Sequence, residues 1–175
     1  MATTMVLISA VNVGSGGAAT ISFSSIPQTY TDLVLKLSGR SATASGATYG
    51  YIQFNSSGGT AYSFRRLYGT GAAVAAGVES SLANSGGSNL INGNDRTASV
   101  FANSEAYISN YTSTSANKIL SIDSVEENNA TQAYHFMAGT QWANTAAITS
   151  ITLTAEASAN FAQYSSATLY GIKNS

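Results

Sequence analysis

Apolar side chains recur at every second position along most of this chain and nowhere settle into a three-and-four spacing, which commits it to strands. In "YTDLVLKLSGRS", residues 30–41, Leu33, Leu35 and Leu37 fall on one side of an extended backbone and Val34, Lys36 and Ser38 on the other. The same alternation sets Ile52 and Phe54 against Tyr49 and Tyr51 in "TYGYIQFN". It also aligns Tyr62, Phe64 and Tyr68 in "AYSFRRLY", and Tyr134, Phe136, Ala138 and Trp142 in "QAYHFMAGTQW". Ile21 and Phe23 make a short strand before Pro27, the only proline. Residues 98–102 and 106–111, "KILSIDSVE", "ITSITLTA" and "SATLYGIK" complete a count of about ten strands.

At the N-terminal end, Met5, Leu7, Val11 and Val13 alternate with Val6, Ile8 and Ala10. A strand apolar on both faces is expected to be sandwiched or to lie in an interface. "GSGG" at 14–17 reads as the hairpin loop that follows it, and "NSSGG" as a turn between two later strands. Between Gly69 and Gly93 the alternation dissolves into Gly, Ala and Ser, which reads as one long surface loop or a short helix over 72–83. Many short strands joined by Gly-, Ser- and Asn-rich turns point to an all-β fold. The expected form is an antiparallel β-sandwich of the jelly-roll type, a single domain over residues 1–175.

Composition narrows the function classes. Charged residues make up 9% of the chain, far below the roughly 25% usual in globular domains. Ser and Thr supply about a quarter of the residues, so solubility rests on hydroxyls and amides. Such a surface is less costly to desolvate than an ionic one and suits packing against protein. A net charge of −1 with no basic run longer than Arg65-Arg66 lacks the footprint that phosphate contacts require, which argues against nucleic acid. No stretch approaches the roughly 18 apolar residues of a membrane span, and the apolar run at the N-terminal end lacks the flanking charge of a secretion signal. With no cysteine, disulfides and thiolate chemistry are excluded. Sequons at Asn55, Asn110 and Asn129 bear only on a chain made in a eukaryotic secretory pathway.

Candidate chemistry is sparse. If Ile122 pairs with Phe136 so that both share a buried face, Asp123 falls opposite His135 with Ser121 beside them, the residue types of a hydrolase triad. A flat sheet face offers neither cleft nor oxyanion donors, and no nucleophile-elbow motif surrounds Ser121, so an ordinary cross-strand Asp/His pair is expected. Glu126-Glu127 could suggest a glycosidase pair, but neighbours on a strand face opposite ways, and a solvated turn is expected instead. Acidic and amide loops such as "NGNDR" at 92–96 have the chemistry to hold a calcium ion, weakly. No metal or other cofactor is called for. Arg65, Arg66, Tyr68 and Trp142 are the candidates for an interface or a glycan surface, with Arg66 also placed on the face of Phe64, where it would need a buried partner. Asp32 and Arg40 stand at opposite ends of one strand, roughly 26 Å apart at ~3.3 Å per residue. They read as a turn residue and an exit charge of a structural wall.

Ile26-Pro27, Tyr30, Asp32-Leu33, Arg40, "YIQFN" at 51–55, Lys118 after "YTSTSAN", and Leu169-Tyr170-Gly171-Ile172 together resemble a diffuse family of virion proteins of tailed phages. These are the proteins labelled tail-fibre, capsid-decoration or structural. The resemblance implies a non-enzymatic virion protein on the surface of the phage particle. The first expectation is a decoration or cement protein, an oligomer and most simply a trimer, bound to the major capsid protein or other virion proteins. The alternative is a receptor-binding fibre tip that recognises host surface glycans. The chain has no collagen-like repeat or heptad stalk, which favours the decoration reading.

Overall fold

The period-two pattern is realised as strands throughout a computed structural model that describes residues 4–44, 46–127, 129 and 133–173. In chain order the strands are β1 (Thr4–Asn12), β2 (Thr20–Phe23), β3 (Asp32–Gly39), β4 (Ala47–Phe54), β5 (Tyr62–Gly69) and β6 (Val74–Leu82). They continue as β7 (Leu90–Asn92), β8 (Ala102–Ile108), β9 (Lys118–Glu126), β10 (Tyr134–Trp142), β11 (Ile151–Ala155) and β12 (Ser166–Lys173). Eight form one sheet in the order β1-β12-β3-β8-β9-β10-β5-β6, and four form the other in the order β2-β11-β4-β7. Every strand ladder is antiparallel. β2 to β5 alternate between the sheets, as do β10 to β12, while β8-β9-β10 is a plain meander. The architecture is the expected all-β sandwich of the jelly-roll kind.

The core lies between the sheets. Leu33, Leu35 and Leu37 from β3, Leu120 and Ile122 from β9 and Leu169 from β12 meet Ile21, Ile52, Phe54, Ile151 and Leu153 from the smaller sheet. Trp142 packs edge-on against Phe54 and parallel to Tyr62, with ring centroids 5.5 and 6.3 Å apart.

Five expectations are corrected. The strands number twelve among the described residues, not about ten. The region 69–93 is neither a long loop nor a helix: it contains β6, which completes a hairpin with β5, a 3-10 turn at Gly86–Ser88, and the buried β7. Residues 98–102 and 106–111 are not two strands. β8 alone runs from Ala102 to Ile108, and Ala98 lies in a turn.

β1 is not sandwiched within the chain, because it is an edge strand. Between Leu7 and Ser9 its register slips against β12, and the extra residue reverses the side-chain alternation. Met5 and Leu7 therefore face out, while Val11 and Val13 turn inward. Finally, the turn at 14–17, closed by the Gly17 amide on the Gly14 carbonyl, does not make a hairpin: β1 pairs with β12, and β2 pairs with β11 in the other sheet.

Candidate functional site

The residues that sequence reasoning placed in doubt are mostly fasteners. Asp32 is buried and accepts hydrogen bonds from the Tyr107 hydroxyl (2.6 Å) and the Asn110 amide (2.8 Å). The bond to Asp32, more than burial, pushes the Tyr107 hydroxyl up to about 12. Arg40 spreads its guanidinium over the carbonyls of Asn94, Arg96, Thr97 and Val100 at 2.8–3.0 Å. Two carbonyls of "NGNDR", those of Asn94 and Arg96, thus face an arginine, and among the described residues no group of three or more His, Asp or Glu could hold a metal. Lys118 is buried, donates to the carbonyls of Ser113, Ala116 and Thr145, and is pushed down by that burial.

The triad register is off by two residues: Ile122 pairs with Ala138, and Asp123 with Met137. The even-with-even parity holds, so His135 still reaches Asp123 diagonally at 3.1 Å, on an open face and with more than half of both side chains exposed. Ser121 lies in the ladder between Tyr107 and Gly139. Glu126 is not in a solvated turn. It ends β9 fully buried against Arg96 at 2.8 Å, whereas Glu127 is exposed.

The four surface candidates separate. Trp142 is 1% exposed and offers no surface to a partner. Arg65 points outward from β5. Arg66 points inward, with Phe136, Tyr68, Tyr49 and Phe64 around its guanidinium at 4.6–5.5 Å and a hydrogen bond to the Gly87 carbonyl. This aromatic surround supplies the cation with an electrostatic partner in place of a carboxylate. Tyr68 belongs to that surround, against Phe136 and Tyr134.

Two of the solvent-open surfaces gather exposed apolar or aromatic side chains. The first is the outward face of the eight-stranded sheet, where register aligns Ala76-Leu67-Met137-Asp123-Glu105-Lys36-Thr168-Ala10 in one row. The next row reads Val78-Arg65-Gly139-Ser121-Tyr107-Val34-Tyr170-Leu7. Met5, Leu7, Leu67, Val78, Ile119 and Met137 on this face are 45–59% exposed.

The second is a cleft of about 300 Å³ beside β4, walled by Tyr49 and Tyr51 and reached by Glu79, Asn84 and Glu156, with Gly86 and Gly87 alongside. Tyr49 and Tyr51 alternate with the buried Gly50 and Ile52 and stack on one another at 6.5 Å. Glu79 shares a register with Phe64, which places it on the inner side of the large sheet where β6 overhangs. Glu156 accepts from the Thr48 hydroxyl at 2.8 Å. Burial, then the charge of Glu156 and a hydrogen bond to it, pushes the Tyr51 hydroxyl up to about 12. The Glu156 turn continues through Ala157 and Ser158, both at φ 56°, a left-handed conformation unusual for residues other than glycine. The sequence pointed to this cleft only through the outward alternation of Tyr49 and Tyr51. Glu79, Asn84 and Glu156 arrive from segments whose proximity depends on the sheet crossings.

This chain matches no protein-family model, no curated protein and no solved structure.

Proposed function

We propose that this chain is a non-enzymatic structural protein of a phage particle, a decoration protein that acts by burying the outward face of its large sheet against copies of itself and against the shell. The observation that carries the reading is that face, on which six large apolar side chains stand about half exposed or more. Apolar area of this kind on a sheet whose two edge strands, β1 and β6, are also open is a surface suited to association. The low charge lowers the desolvation cost of covering it. The virion setting comes from the sequence resemblance and the trimer from its expected role. An interface of standard size, about 1,600 Å² in total per contact, would suffice when repeated over a shell.

Two measurements test the proposal. Sedimentation should give a mass above the 17.9 kDa of one chain, and labelled protein should be found on the outer surface of particles from cells making it. A monomer at high concentration that stays off particles would overturn the reading.

A further inference from the structure

We infer that the cleft beside β4 is a binding site for a neutral saccharide unit. It has the size and the mixture of groups that a sugar needs. At about 300 Å³ it lies at the lower end of the range of small-ligand pockets, roughly 300–1,000 Å³, and so fits one or two sugar rings. Tyr49 and Tyr51 supply aromatic surface on which the C–H face of a pyranose can stack. Glu79 and Glu156 supply acceptor oxygens for sugar hydroxyls, and an ionised acceptor makes the stronger kind of hydrogen bond. The Gly86 amide donates to the Asn84 Oδ1 at 2.9 Å, so the Asn84 NH2 is the end left to donate to a ligand.

Charge decides the class of sugar. Two carboxylates border the cleft and none of its lining residues is a cation; the Arg66 guanidinium lies over the Tyr49 ring, 5.3 Å from its centroid, and is bonded to the Gly87 carbonyl. Sialic or uronic acids would meet like charge without a facing cation, whereas neutral hexoses meet acceptors for their hydroxyls. A second cavity of about 420 Å³ shares Tyr51 and Asn84 and extends past Thr154 and Ser158, which gives a longer glycan a continuation in one direction. The site goes beyond the assembly role and does not depend on it: Glu79 is on the inner side of the large sheet, so covering the outward face leaves the cleft open.

The test is titration of the protein with methyl glycosides of glucose, galactose and mannose, followed by amide chemical shifts, with glucuronate and choline as charged probes. Binding of at least one neutral glycoside with a Kd on the order of millimolar is expected. The shifts should centre on Tyr49, Tyr51 and Asn84, and Glu79→Ala and Tyr51→Ala should each weaken binding at least tenfold. Glu79 is exposed on an edge strand, so that variant keeps its melting temperature and separates lost binding from lost fold. Three results would overturn the inference: no neutral glycoside binding below about 50 mM, tighter binding of glucuronate or choline than of any neutral glycoside, or neutral binding that survives Glu79→Ala unchanged.

Discussion

At the residue scale, this chain directs most of its few basic side chains inward. Of seven Lys and Arg, four (Arg40, Arg66, Arg96 and Lys118) tie down carbonyls, aromatic rings or a buried carboxylate. Other residues singled out in the sequence are also fasteners. Besides Arg40, Lys118 and Asp32, Gly171 is glycine because a Cβ there would collide with the ring of Tyr30. Asn55 accepts the amides of Thr149 and Ser150 and donates to Ala147.

Buried phenols give a pH test at this scale. Burial pushes Tyr62 up to about 12 and raises Tyr111. Between pH 10 and 12 the unfolded chain releases protons that the folded protein keeps. The stability contributed by these neutral phenols is therefore complete below pH 10 and lost as pH rises toward 12. For the fully buried Tyr62 the loss is on the order of 3 kcal/mol. Denaturant titrations across this range should show stability falling with pH, and falling less steeply in Tyr62→Phe. That variant is already weaker at neutral pH, because the Phe54 amide loses its acceptor.

At the element scale, the strands that were legible are those with one buried face and large apolar residues, such as β3, β9 and β10. β6 and β7 were not, for different reasons. β6, "VAAGVESSL", is an edge strand with little buried surface, so nothing selects large apolar residues at alternate positions. Gly77 is small because Arg66 lies across it: a Cβ there would stand 2.8 Å from the Arg66 Nε. β7 is buried on every side and held by polar partners, the Leu90 amide on the Ser124 hydroxyl and the Asn89 side chain on the Gly50 carbonyl, which sequence periodicity cannot show. The bulge in β1 was equally silent, since an inserted residue leaves composition unchanged.

Two strand glycines make the contrast measurable. Gly77→Ala should cost about 1–3 kcal/mol by displacing Arg66 from its aromatic surround. Gly139→Ala, where a Cβ meets nothing within 4 Å, should be neutral or stabilising by up to ~1 kcal/mol, since glycine weakens a strand interior. Equilibrium unfolding of the two variants beside the parent chain decides between them, and equal effects would contradict the packing described for β5 and β6.

At the scale of the whole molecule, the outward sheet face is divided. Leu67, Val78 and Met137 lie toward the β6 edge, Met5, Leu7 and Tyr170 toward the β1 edge, and Tyr107 and Ile119 on the central strands β8 and β9. In the row of Leu67 and Met137 the strands between the two ends carry Asp123, Glu105 and Lys36, with Lys36 3.0 Å from Glu105. Two distinct apolar patches on one chain permit a head-to-tail contact, and such contacts close into rings when the rotation allows, as the proposed trimer requires. A two-fold contact would instead join like patches. Met137→Lys disables one patch and Leu7→Lys the other, both at exposed positions where stability should change by less than about 0.5 kcal/mol. In the head-to-tail arrangement each variant alone sediments as a monomer, since every contact needs both patches. Mixing the two yields a heterodimer through the one intact pair of surfaces and goes no further. If like patches meet, one variant alone still dimerises and mixing adds nothing. The masses of the two variants, separately and mixed, therefore distinguish a ring from a two-fold pair, and an oligomer unaffected by either substitution would show that the outward face is not the contact.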